Sequence, residues 1–166
     1  MQNGTEETRA IMVGHLYPVM EHNPRILERL QKKISNLNPH YIFILGDSKL
    51  FDPIVIKNWR KKFGDKVFFA PGNNEVIKGN LDIFFNSVGY TETFVDTNNV
   101  RYLISNSNDK GENLINFIKN SSQDLGDKKL ILLTHHRIWD DTLTSAKPYE
   151  HDKSYYLKDI FPTLEK

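Results

Sequence analysis

Tyr41-Ile42-Phe43-Ile44-Leu45-Gly46-Asp47-Ser48 is the stretch that decides how this chain folds: five apolar residues run straight into a glycine, a carboxylate and a hydroxyl. A short continuous apolar run bounded by turn residues is the pattern of a strand covered on both faces. Three further runs end in the same way. Ile11-Met12-Val13 leads into Gly14-His15, Val67-Phe68-Phe69-Ala70 into Pro71-Gly72-Asn73-Asn74, and Leu130-Ile131-Leu132-Leu133 into Thr134-His135-His136. In an open α/β sheet the carboxyl ends of the strands form the crevice where ligands bind, so polar groups delivered there by separate strands can converge. Imidazole, carboxylate and amide meeting at one point suggest a metal site.

The segments between these strands read as helices. Ile26, Leu27, Leu30 and Ile34 follow a helical spacing after Pro24, and Asn38-Pro39 ends that element. Asp52-Pro53 opens a second helix to about Phe63, with Asp52 as N-cap and Pro53 at the first helical position. Gly64-Asp65 is a turn, and an apolar helix spans about Leu81 to Val88. Strand, helix, strand, helix implies a largely parallel sheet with right-handed crossovers. Tyr90 to Asp96 and Val100 to Ser105, joined by Thr97-Asn98-Asn99, read instead as a hairpin, and Leu114 to Ile118 as another helix. Arg137 to Asp152 lacks periodicity and reads as a long surface loop, followed by a last helix from about Ser154 to Pro162.

With 166 residues the chain suits one domain, 1–166, with a sizeable core. A formal charge of +1 gives no general attraction to nucleic acid or anionic membrane, and Arg60-Lys61-Lys62 reads as the solvated face of a helix. The absence of cysteine excludes disulfides, thiolate ligands and a cysteine nucleophile. No apolar run reaches the length of a membrane span, and Met1 to Glu7 is unlike the basic start of a secretory signal, so the expectation is a soluble cytoplasmic protein with no membrane partner.

In order and spacing the four strand ends resemble the calcineurin-like metallophosphoesterase superfamily, whose pattern is Asp-x-His, Gly-Asp-x-x-Asp, Gly-Asn-His-(Asp/Glu), a strand ending in His, and Gly-His-x-His. Val13-Gly14-His15, Gly46-Asp47, Gly72-Asn73-Asn74-Glu75 and Thr134-His135-His136 occupy the first four places. The resemblance implies an α/β sandwich of mixed β-sheet with flanking helices. It also implies divalent ions (Mn, Fe, Zn or Mg) held by His15, Asp47, Asn73 and His135, with Asp47 bridging, and a phosphorylated small molecule or a phosphodiester as substrate. Two such ions about 3.5–4 Å apart can clamp a phosphoester and lower the pKa of bound water. Either His135 or His136 can be the ligand; the resemblance favours His135, because the family's ligand immediately follows its apolar strand, which leaves His136, with Arg137, for substrate.

The departures are equally informative. Val13 replaces the aspartate of Asp-x-His, and Leu50 the second aspartate of Gly-Asp-x-x-Asp, although Asp52 is near. Asn74 holds the catalytic position of the histidine that protonates the leaving group, and a neutral amide cannot do so near pH 7. The chain ends at Glu165-Lys166, before the family's Gly-His-x-His loop, which leaves a fragment or a reduced site lacking the final strands. Counting ligands favours one ion over two.

Each residue taken alone has a structural reading: Asp47 and Asn73 as turn or cap residues, His15 as a hydrogen-bonded imidazole, Glu75 as an N-terminal helix charge, and His22, His40 and His151 as surface residues. Three functions follow: a metal-dependent phosphoesterase; a catalytically impaired member of the fold that binds a ligand or partner, including a second copy through an exposed sheet edge; and an SGNH-type esterase with Ser48 as nucleophile. The last lacks an Asp-x-x-His general base.

Overall fold

In the computed structural model, residues 8–17, 23, 25–109 and 112–136 are described. The long loop expected at 137–152, the last helix, Arg137, His22 and His151 lie outside them.

The strand readings hold, and the chain divides them between two three-stranded sheets. Strands β1 (Ala10–Gly14), β2 (Tyr41–Leu45) and β3 (Val67–Ala70) pair in parallel in that order. Their connections are helices α1 (Arg25–Leu37) and α2 (Pro53–Phe63). After α3 (Asp82–Val88), the hairpin of β4 (Thr93–Asp96) and β5 (Val100–Ile104) pairs antiparallel. Helix α4 (Glu112–Ser121) then leads to β6 (Lys129–Leu133), which lies parallel to β5. The mixing read from the sequence is thus confined to the second sheet, and the first is wholly parallel.

Period-two alternation along β2 explains the layering. Ile42 and Ile44 face outward into a cluster with Ile34 of α1, Val55, Ile56 and Trp59 of α2, and Phe84 and Val88 of α3. Phe43 faces inward and packs with Ala70, Val95, Tyr102, Ile104 and Leu133, so the two sheets share an apolar interior. The Phe43 and Tyr102 rings lie 4.9 Å apart at its centre. Outside the second sheet, Leu103 packs with Leu114 and Ile118 of α4. The result is a sandwich with helices on its outer faces.

Local chemistry fixes the element ends. Asp52 Oδ1 accepts the Ile54 N–H at 2.9 Å, the cap read from the sequence. Arg60 donates to the carbonyls of Ser87 (2.9 Å) and Val88 (2.7 Å), tying α2 to the C-terminus of α3, where free carbonyls concentrate negative potential. Arg101 grips Asp96 through two bonds of 2.7 and 2.8 Å and also donates to the Ser121 and Gln123 carbonyls, joining the hairpin to the end of α4. On the outer edge of β3, the Phe69 N–H donates to the Tyr90 hydroxyl at 3.0 Å.

Candidate metal centre

The loops after β1 and β2 continue side by side beyond the sheet. His15 N–H donates to the Gly46 carbonyl (3.1 Å) and Tyr17 N–H to that of Asp47 (2.7 Å). Both His15 (φ 58°) and Asp47 (φ 45°) have left-handed backbones, a conformation that costs non-glycine residues about 1–3 kcal/mol and recurs where a fold aims a functional side chain. Gly46 (φ 66°) lets the third loop approach: a Cβ there would lie 2.5 Å from the Gly72 nitrogen and 2.7 Å from His135 Nδ1. A Cβ at Gly72 would in turn lie 2.6 Å from Asp47 Oδ1. Only two glycines allow these loops to close on one point.

Glu75 holds the loops there. Its fully buried carboxylate accepts the N–H groups of Gly72 (2.7 Å) and Asp47 (2.8 Å) on Oε2, and those of Leu50 (3.1 Å) and Ser48 (3.3 Å) on Oε1. Glu75 does stand in the first turn of a short 3-10 helix, Asn73–Glu75, as the sequence suggests, but buried and bonded well beyond that helix. Four backbone donors satisfy a carboxylate that burial would otherwise heavily penalise, and they pin the Asp47 loop to the Gly72 loop.

At the focus, Asp47 Oδ1 accepts the Asn74 N–H at 2.9 Å, so Oδ2 faces the imidazoles. Asp47 Oδ2 lies 3.4 Å from His15 Nδ1 and 3.4 Å from His135 Nε2. One ligand atom from each of the three residues falls within 4.8 Å of the others. His135 Nδ1 lies 2.9 Å from the Leu45 carbonyl, which can only accept, so Nδ1 carries a proton and Nε2 is the ring nitrogen turned to the cluster. Asn73 Nδ2 donates to Asn74 Oδ1, which points Asn73 Oδ1 at His135 Nε2, 3.3 Å away.

His135 Nε2 thus faces two oxygens, Asn73 Oδ1 at 3.3 Å and Asp47 Oδ2 at 3.4 Å. A cation can take the place of an Nε2 proton between them. Ligands about 2.1 Å from one ion stand about 3.0–3.4 Å apart in octahedral or tetrahedral coordination, the separations found here. The bond from His135 to a backbone carbonyl is the outer contact by which metal-binding histidines are commonly oriented. The donor set fits a divalent metal.

Other expected residues fall as follows. His136 stands beside His135, the rings 4.7 Å apart edge to face, because the strand ends before them and strand alternation does not apply. Ser107 accepts the His136 N–H and lies 3.0 Å from its Nδ1. Asn74 contributes its backbone N–H to Asp47 and its side chain to Asn73. Val13 packs into the apolar cluster beneath the helices, so the position of the family's first aspartate has become core. His40 accepts the Arg9 N–H away from the centre. Ser48 is fully buried and donates to the Gly46 carbonyl at 2.9 Å, which leaves its hydroxyl committed to the backbone and unsuited to nucleophilic attack.

Sequence reasoning named Glu75 but not its anchoring of the loops, and it overlooked Ser107 and Asn108, whose Nδ2 donates to the Gly72 carbonyl at 3.2 Å.

Across residues 15–162 the sequence matches the family model for calcineurin-like phosphoesterases. The chain belongs to that family. No curated protein matches it. Among the described residues, no helix is long and apolar enough to cross a membrane.

Proposed function

We propose that this calcineurin-like phosphoesterase hydrolyses a phosphate ester or phosphodiester at a single divalent ion held by His15, Asp47, Asn73 and His135. The observation that carries the proposal is the position of His135 Nε2, 3.4 Å from Asp47 Oδ2 and 3.3 Å from Asn73 Oδ1. Imidazole, carboxylate and amide donors without sulfur suit Mn, Fe, Zn or Mg. A bound ion supplies Lewis acidity toward the phosphoryl oxygens and lowers the pKa of water.

The chain's own residues then have separate tasks. Asp47 contributes the anionic charge, its free oxygen shared between the two imidazoles. His135 is oriented as a ligand by the Leu45 carbonyl, and Asn73 adds a neutral oxygen. His136, steadied by Ser107, together with Arg137, would bind the phosphoryl oxygens. Asn74 occupies the catalytic position of a leaving-group acid but can only donate a hydrogen bond, so esters with acidic, aryl-type leaving groups should react best.

Metal analysis with hydrolysis of an aryl phosphate in added manganese tests this. The expected result is one ion per chain and metal-stimulated turnover that Asp47→Asn lowers by at least a hundredfold. Turnover indifferent to chelation would overturn the proposal, and bound metal without turnover would identify a ligand-binding member of the family.

A further inference from the structure

We infer that Lys49 is the second positive group of the phosphoryl site, taking over charge that a second metal ion would otherwise supply; this rests on the one-ion proposal above. A phosphoryl group in transfer spreads negative charge over three oxygens, and effective sites place positive groups on more than one side of it. Here Val13, partly buried against apolar side chains, leaves no carboxylate at its place, and among the described residues one cluster, His15 with Asp47 and His135, could hold an ion.

Lys49 stands two residues beyond Asp47, its own backbone in the left-handed region (φ 58°). Its Nζ lies 5.2 Å from the centre of the Tyr17 ring. Tyr17 follows His15 by two residues, its N–H is bonded to the Asp47 carbonyl, and Phe51 buttresses its ring at 5.9 Å. The ammonium thus lies against a ring on the loop that carries His15, while its own backbone belongs to the loop that carries Asp47. A ring face orients a cation while leaving its N–H donors able to bind an anion. Among the described residues Lys49 forms no ion pair.

The test is calorimetric titration of the full, manganese-loaded chain with inorganic phosphate, after manganese affinity has been measured for each variant. Lys49→Met should weaken phosphate binding at least tenfold, Lys49→Arg should stay within about threefold of wild type, and Tyr17→Leu should fall between them. Manganese affinity should be unchanged in all three. Equal phosphate affinity in Lys49→Met, or a loss matched by lost manganese affinity, would overturn the inference. If phosphate binding needs Lys49 but wild type hydrolyses no ester, the inference survives and the phosphoesterase proposal fails. Metal-dependent turnover with phosphate binding indifferent to Lys49 would do the opposite, sparing the phosphoesterase and removing Lys49 from its site.

Discussion

Glu75 is the side chain on which the geometry around Asp47 depends most. Replacing one carboxylate oxygen with an amide nitrogen sets an N–H₂ group against two backbone N–H donors at a fully buried position. Glu75→Gln is therefore expected to destabilise the protein by roughly 2–4 kcal/mol, as for a buried group stripped of its partners. Urea unfolding would show this, and manganese affinity should fall with it because the Asp47 loop loses its anchor. Unchanged stability would show that the four bonds do not hold the loops. The identity of such a residue is visible in sequence, but its importance is not: Gly-Asn-x-Glu also fits an ordinary turn entering a helix. His15, Asp47, Asn73 and His135 could be singled out because each ends an apolar run. Ser107, Asn108 and Lys49 stand out only once chain segments far apart in sequence are brought together.

Among the secondary-structure elements, the β4–β5 hairpin depends on the pairing of Asp96 with Arg101. The guanidinium, with help from Lys128 at 3.0 Å, lowers the Asp96 pKa from 3.8 to about 2. Because the folded value is below the unfolded one, the stabilisation is complete above about pH 4 and is lost as pH falls toward 2. Because Asp96 is exposed and its pairing screened by solvent, Asp96→Asn should cost about 0.5–1.5 kcal/mol at pH 7 and progressively less below pH 4. Chemical unfolding at pH 7 and pH 3 would check this, and an equal loss at both would refute it. The elements themselves were legible in the sequence because their signals are local: the Asp52-Pro53 start, the helical spacing of Ile26, Leu27, Leu30 and Ile34, and the Thr97-Asn98-Asn99 turn. Their division into two sheets was not, since the unbroken apolar run of β2 shows that both faces are covered without showing what covers each.

For the molecule as a whole, the centre is also a junction between the two sheets. His135 comes from the end of β6, yet it bonds to the Leu45 carbonyl and faces Asp47 at the end of β2. An ion at this point ties one half of the sandwich to the other, and binding that requires the folded state adds to stability by mass action. At a metal concentration one hundred times Kd, the gain is about 2.7 kcal/mol. Thermal unfolding with manganese and then with excess chelator should show a midpoint several degrees higher in the metal, and the difference should vanish in Asp47→Asn. An equal midpoint in metal and chelator would refute the junction.

The phenol that takes up the Phe69 N–H has a consequence for how copies of the chain can meet. A border strand with idle amides invites a neighbour to zip onto it and prolong the ladder. Tyr90 occupies one such amide on β3, so sheet-to-sheet growth of two molecules along that margin would first have to displace an aromatic side chain.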